Sequence, residues 1–370
     1  MEKSVVRGEA LSPKPGVLSV DPYVPGRSKL AGSGPVIKLS SNETPLGPSP
    51  LAIQAYREAA GHLDRYPDGS HTALREALAA AHGINAAQII CGNGSDELFH
   101  VLAQAYLGPG DEAIYTEHGF LVYRIAILAA GATPIIAPER HLTADADAIL
   151  ERVTSRTKAV FIANPNNPTG TYLSAAQIRR LRKELPEHAL LVLDGAYAEY
   201  ANKDDYEAGL ELAKATPNTI MTRTFSKIYG LAAARIGWGY APPAVAEAIN
   251  RIRSPFNLGG PSMAAAVAAL SDQAHVESAK SHNEQWRARV TQELREIGFD
   301  VPDSAANFVL IPFPFERGST AQDADGYLIS KRIIVRQLGA YKLPNALRMT
   351  IGLESENRAA LDALREFVRK

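Results

Sequence analysis

The feature that most constrains this chain is an alternation. Short apolar runs recur at residues 88–91, 112–116, 133–137, 158–163, 189–194, 219–223 and 235–241, and helical patterns fill most of the gaps, at 95–107, 120–130, 174–184 and 206–215. Strands that alternate with helices run mostly parallel, because each helix carries the chain back to start the next strand, and the helices cover both faces of the sheet. The expectation is an α/β fold with a mostly parallel, seven-stranded sheet. Ligands bind such sheets beyond the carboxyl ends of the strands. The loops after Cys91, Ala163, Asp194 and Arg223 should therefore surround one site.

The segments outside this alternation suggest three parts. Residues 1 to about 35 are rich in Pro and Gly and read as an arm that packs on something else, another subunit being the obvious candidate. Turn chemistry follows at Leu39–Pro48, a helix at 49–61, a turn at Arg65–Gly69, and a helix from Thr72 with Leu74 and Leu78 one turn apart. Composition changes near 242–262. Two long helices follow, the second with a core stripe of Trp286, Val290, Leu294 and Ile297. Strand-like segments at 307–312, 332–336 and 347–351 and a closing helix at 356–369 suggest a smaller α+β domain. The expected division is an arm over 1–40, packing with the small domain and a partner subunit, a large domain over 41–255 and a small domain over 256–370.

Charge and cysteine content narrow the function classes. The chain has 39 basic and 40 acidic residues, so no field for nucleic acid or a membrane surface is implied. No run approaches the roughly 20 apolar residues of a membrane span. The N-terminal residues lack the apolar core of a secretion signal. The single cysteine, Cys91, closes an apolar run and reads as a packing residue. A reducing compartment, the cytoplasm, is expected, and no metal site.

The chemistry gathers around Lys227, in Thr222-Arg223-Thr224-Phe225-Ser226-Lys227-Ile228-Tyr229-Gly230. A lysine at the end of a buried strand is desolvated, which lowers its pKa and frees the amine as a nucleophile. Thr224 and Ser226 offer hydroxyls, and Arg235, eight residues on, offers a planar fork; together they suit a phosphate. Gly92-Asn93-Gly94-Ser95-Asp96-Glu97 joins a strand to a helix, where backbone N–H groups can approach an anion. In Asn164-Pro165-Asn166-Asn167-Pro168-Thr169-Gly170 two prolines fix the backbone at a strand end. Asp194 closes the apolar strand Leu190–Leu193, with Tyr197 three residues on; a buried acid needs a cation or a donor.

Asn167, Asp194, Tyr197, Lys227 and Arg235, in this order, resemble the fold-type I, pyridoxal-phosphate-dependent aminotransferases, and within them the histidinol-phosphate aminotransferase group. The resemblance runs from about Asp21 to the C-terminus. It includes Pro22-Tyr23-Val24-Pro25-Gly26, the Asn42 turn, Arg65-Tyr66-Pro67, and two late arginines, Arg336 and Arg348. It implies pyridoxal 5′-phosphate as cofactor, bound covalently by Lys227, which also moves the substrate α-proton. Asp194 would pair with the pyridine nitrogen, and Asn167 and Tyr197 with the ring oxygen. Ser95, Asp96, Thr224, Ser226 and Arg235 would share the phosphate, with Phe120 stacked on the ring. Tyr66 would reach the cofactor of a neighbouring subunit, so a homodimer with shared sites is implied. Arg348 would take the substrate anion, with Arg336, Tyr23 and Asn42 nearby. The implied reaction is ping-pong transfer from L-histidinol phosphate to 2-oxoglutarate. Gly195 stands where that family often has Glu, and the connection from Arg336 to Arg348 is short. An aromatic amino-acid aminotransferase and a decarboxylase on the same cofactor are the alternatives inside the fold. A cofactor-sensing transcription regulator would need a DNA-binding domain, for which residues 1–35 are too short.

Overall fold

The computed structural model describes residues 12–316 and 318–370; the first eleven residues of the expected arm and position 317 lie outside the described residues. The seven apolar runs form one sheet. Its order in space is Ile89–Gly92, Gly237–Tyr240, Thr219–Thr224, Leu190–Asp194, Thr157–Ala163, Glu112–Thr116 and Thr133–Ala137. Only Gly237–Tyr240 runs antiparallel to its neighbours. The central strands are buried on both faces, which is why their sequences read as continuous apolar runs, Leu-Leu-Val-Leu and Val-Phe-Ile-Ala.

Two elements differ from the pattern reading. The helix expected over 206–215 begins at Leu210. Its start is set by the Glu207 carboxylate, which accepts from the backbone N–H groups of Gly209 and Glu211 ahead of the first turn. The strand expected at 332–336 is two strands. Ile333–Ile334 pairs in parallel with Ile37–Lys38, whereas Arg336–Leu338 joins a three-stranded antiparallel sheet with Phe308–Pro312 and Leu343–Thr350. The partner of Ile333–Ile334 lies some three hundred residues earlier in the chain, beyond the reach of a local pattern.

The described part of the arm lies along its own chain, mostly against the C-terminal segment. Arg332 donates to the carbonyls of Ala31, Gly34 and Pro35. Arg336 Nη2 donates to Val24 O at 2.9 Å, and Ser40 Oγ to Arg27 O at 2.9 Å. Arg124 reaches Ser19 O at 3.3 Å and pairs with Asp21 at 3.7 Å. A Pro- and Gly-rich segment forms no ladder, so its carbonyls need such donors.

The stripe Trp286, Val290 and Leu294 on the helix Gln273–Ile297 packs with Leu39, Val309, Leu347 and Leu361 into one core beneath the small sheet, with Ile297 at its edge. Leu39 thus ties the end of the arm to the C-terminal layer. The backbone agrees, for Leu39 N donates to Ile334 O and Thr350 N donates to Leu39 O.

Candidate active site

A cavity of about 390 Å³ opens where the carboxyl ends of the large sheet face the small sheet. Every site residue singled out in the sequence lines it except Tyr66. A larger surface groove of about 660 Å³ runs beside the helix Gln273–Ile297 and contains none of them.

At the deep end, Asp194 is buried. Its Oδ2 accepts from Tyr123 Oη at 2.7 Å; its Oδ1 accepts from Ala196 N at 3.1 Å and lies 3.4 Å from Thr222 Oγ1. Burial raises the carboxyl group to about 6, against the opposing pull of the Tyr123 hydroxyl. Among the described residues no cation forms an ion pair with it. Lys227 follows the neighbouring strand, Thr219–Thr224. Its side chain keeps partial access through the cavity, but its amine lies deep, 3.4 Å from Ser41 O and 5.6 Å from the Tyr197 ring centre. Burial, then the charge of Arg348, lowers the ammonium to about 8. Tyr197 is buried, accepts from Asn42 Nδ2 at 2.8 Å and meets Phe308 edge-on at 5.2 Å. Burial pushes its phenol up to about 12.

Beside these, donors converge on an anion-sized space. Ser226 N donates to Thr224 Oγ1 at 3.0 Å, and Arg235 Nη1 donates to Ser226 Oγ at 3.2 Å. Arg235 Nη2 lies 3.5 Å from Asp96 Oδ2, in the first turn of the helix Ser95–Tyr106. The antiparallel strand explains how Arg235 gets there. Gly237 pairs with both Thr224 and Gly92, so this strand starts at the edge where its neighbours end. The approach is close. A Cβ on Gly237 would sit 2.2 Å from Ser95 N, and one on Gly94, at φ 82°, would sit 2.3 Å from Arg235 Nη2. Arg235 itself holds φ 53°, a left-handed conformation rare for a bulky side chain. A helix N-terminus, two hydroxyls and a guanidinium have the chemistry that suits a phosphate.

Asn167 comes from the proline-fixed turn. Asn164 Nδ2 donates to Leu173 O at 3.0 Å and its Oδ1 accepts from Leu173 N at 2.8 Å, while Asn166 Nδ2 donates to Thr169 Oγ1 at 3.0 Å. With its neighbours so engaged, the Asn167 side chain faces the cavity, and its Oδ1 accepts from Arg348 Nη1. Phe120 lines the same wall and meets Tyr123 edge-on at 5.8 Å.

The outer end is cationic. Arg348 is buried in the strand Leu343–Thr350. Its Nη2 donates to Ser40 O at 2.8 Å, its guanidinium lies 5.2 Å from the Phe308 ring centre, and its Nε has no partner. Arg336 stands opposite it in register, half-buried. Tyr23, 48% exposed, reaches in from the arm. Sequence reasoning missed Tyr123, Thr222, Tyr341 and the carbonyls of Ser40 and Ser41. Tyr123 precedes Arg124 in the helix Leu121–Ala130, and its place in that pattern reads as core. Tyr66 stays outside: it is 84% exposed and stacks on Phe256 at 4.7 Å.

The site thus joins a lysine whose ammonium burial makes more acidic, a buried carboxylate that no described cation pairs with, and two groups of donors suited to anions. The sequence profile of the family "Aminotransferase class I and II" matches residues 34–364. A histidinol-phosphate aminotransferase of Rhodopseudomonas palustris is 54% identical over 97% of this chain and 98% of its own. One from Nitrobacter winogradskyi is 55% identical over 97% and 98%. Among solved structures, the histidinol-phosphate aminotransferase of Sinorhizobium meliloti in complex with pyridoxal-5′-phosphate superposes with a TM-score of 0.85 at 31% identity, covering 90% of this chain and 91% of that one.

Proposed function

This chain belongs to the class I and II aminotransferase family, and from that premise we propose that it transfers an amino group from L-histidinol phosphate to 2-oxoglutarate, with pyridoxal 5′-phosphate as cofactor. The site fits that cofactor. The buried Asp194 carboxylate lacks a cation, which a pyridinium nitrogen supplies. The Gly94 and Gly237 contacts leave no room for side chains around the cradle of Ser95, Asp96, Thr224, Ser226 and Arg235, where the cofactor phosphate would lie. Asn167 and Tyr197 would hold the ring oxygen, and Phe120 the ring face. When bound, pyridoxal phosphate supplies the electron sink that makes the substrate Cα–H acidic. Asp194 would pair with the pyridine nitrogen and hold a proton on it. Lys227 would hold the cofactor covalently, and its amine, when free, would serve as the base and then the acid that moves the substrate Cα proton.

The observation that carries the substrate assignment is Arg348. It is a buried guanidinium with an unpartnered Nε, facing Arg336 across two paired strands. One fork suits the carboxylate of 2-oxoglutarate; a second guanidinium and the Tyr23 phenol add donors for the further oxygen of a phosphate ester. Spectra of the bound cofactor, followed after mixing with L-histidinol phosphate, L-phenylalanine and L-glutamate in turn, test this. Histidinol phosphate should convert it fastest. A faster reaction with phenylalanine would hand the assignment to an aromatic amino-acid aminotransferase.

A homodimer with shared sites is part of the same proposal. Tyr66, Phe256, Leu63 and Tyr56 are exposed aromatic and aliphatic side chains, and Tyr66 lies outside its own cavity. Mixing a Tyr66→Phe chain with a Lys227→Ala chain should restore activity in heterodimers, since both lesions then fall on one site. No recovery would mean that Tyr66 does not cross. Among the described residues no helix is long and apolar enough to cross a membrane. Cys91 is free and buried, and a cytoplasmic location is part of the same proposal.

A further inference from the structure

We propose that the Tyr341 hydroxyl contacts the substrate and selects for a phosphate-bearing one, and that His118 is the residue that positions it. Tyr341 ends the short turn Gly339–Tyr341 between the strands Arg336–Leu338 and Leu343–Thr350, so it lies between Arg336 and Arg348 in sequence and lines the same cavity as both. Its side chain is 3% exposed and packs with Leu310, Leu338 and Ala346. The residue lines the cavity, within electrostatic reach of Arg348, Tyr23, Arg336 and Tyr197. Among the described residues, none hydrogen-bonds to Tyr341 Oη. A buried phenol normally finds a partner for its O–H. Unlike Tyr200 Oη, Tyr341 Oη is not enclosed without a partner, and in the cavity that the residue lines an anion held by Arg348 would accept from it.

The turn is anchored from the large sheet. His118 Nδ1 lies 2.8 Å from Tyr341 O. A carbonyl only accepts, so Nδ1 carries the proton. His118 is itself held at both backbone groups: its N–H donates to Glu139 Oε1 at 3.1 Å, and its carbonyl accepts from Asn166 Nδ2 at 3.4 Å. The turn that aims Asn167 thereby also fixes the height of Tyr341. Lys342 follows at φ 60°, which limits how the turn can relax. A phosphate ester presents three terminal oxygens where a carboxylate presents two. The Arg348 fork satisfies two, and the Tyr341 phenol joins Arg336 and Tyr23 as donors for the third.

This inference rests on the proposed substrate, and the experiment separates the two. Half-reactions of the holoenzyme are followed with L-histidinol phosphate and with L-glutamate, in the wild type, Tyr341→Phe, His118→Leu and His118→Asn. Tyr341→Phe keeps ring and carbonyl and removes only the hydroxyl. It should lower kcat/KM for histidinol phosphate by about tenfold or more, mostly through KM, and change the glutamate reaction by less than about twofold. His118→Leu should copy that selective loss, and His118→Asn, whose amide can donate to the same carbonyl, should recover most of it. The glutamate reaction serves as the check that each variant is folded and loaded. Equal losses on both substrates, or no loss on either, would overturn the role of Tyr341 while leaving the substrate assignment intact. A wild type that reacts with glutamate but not with histidinol phosphate overturns the substrate assignment and this inference with it.

Discussion

Asp194 and Lys227 stand at the ends of adjacent strands in one parallel sheet, whereas Arg348 and Arg336 come from a separate antiparallel sheet and Tyr23 from the arm. The first pair is fixed by sheet register. Asp194 pairs with Thr222, and three hydrogen-bonding groups surround its carboxylate. The second group is held by contacts between segments distant in sequence, such as Arg348 to Ser40 and Arg336 to Val24. Tyr23 and Arg336 keep solvent access, and Asp194 does not. The difference teaches where variation is tolerable. Proton transfer must be set within tenths of an ångström and is common to both half-reactions, so it belongs on the rigid sheet. The anion pocket must accept two different substrates in turn, so adaptable, partly exposed side chains suit it.

The comparison can be broken most decisively at Lys227. Lys227→Ala should lower turnover at least about 10³-fold, since one residue supplies both the covalent attachment and the proton carrier. Retention of a tenth of wild-type turnover in steady-state assays would remove the deep end from the chemistry. Asp194→Asn keeps the shape and removes the charge. It should bind cofactor with a changed spectrum and lose roughly 10²-fold in kcat; near-normal kcat would show that the buried carboxylate is structural. At the outer end, Arg348→Leu should cost about 10- to 100-fold in kcat/KM for either substrate, as expected when a charge-assisted pair is lost from a buried site. Arg336→Leu should cost about tenfold or less, mainly in KM for the phosphate ester, because its half-exposed charge is screened. Equal effects at the two arginines would erase the graded pocket.

The smallest effect sharpens the contrast through pH. The neutral amine of Lys227 is the nucleophile, and burial lowers its ammonium to about 8. Its neutral fraction therefore grows as pH rises through 8. Capture of pyridoxal phosphate by the apo-protein should accelerate by roughly tenfold from pH 7 to pH 9 and then level off. A rate that keeps climbing past pH 10 would mean an ordinary, solvated lysine.

Much of the deep end was legible because its residues follow strands whose burial writes them as apolar runs. Lys227, Asp194, Asn167 and the Gly92–Glu97 loop each sit just after such a run, and the rule for open α/β sheets gathers them. Tyr123 was not legible, since a tyrosine in the helix Leu121–Ala130 reads as core until its hydroxyl is seen on Asp194. At the outer end the arginines were found only through a family resemblance. Their placement depends on pairings such as Arg336 with Arg348 and Asn42 with Thr350 that no local period encodes. Tyr341 carried no signal, because the shortness of its connection says nothing of which way its ring turns. The split at Val335 and the late start at Leu210 failed for related reasons, one a remote strand partner and the other a side-chain cap.

The hydrogen bond from Asn42 N to Thr350 Oγ1 spans 308 residues. It belongs to a group: Ser40 O accepts from Arg348, Leu39 O from Thr350, and Asn42 O from Asn307. On a ribosome the segment 37–42 emerges early, and its partners follow only after nearly the whole chain is made. At about 5–20 residues per second the delay is roughly 15 to 60 seconds. Once Tyr240 is made the large sheet has all its strands, while Leu39 and Ile37, both apolar, still wait for partners in the C-terminal layer. The outer end of the site, where Ser40 and Asn42 meet Arg348 and Thr350, is therefore the last part of the cavity to be assembled.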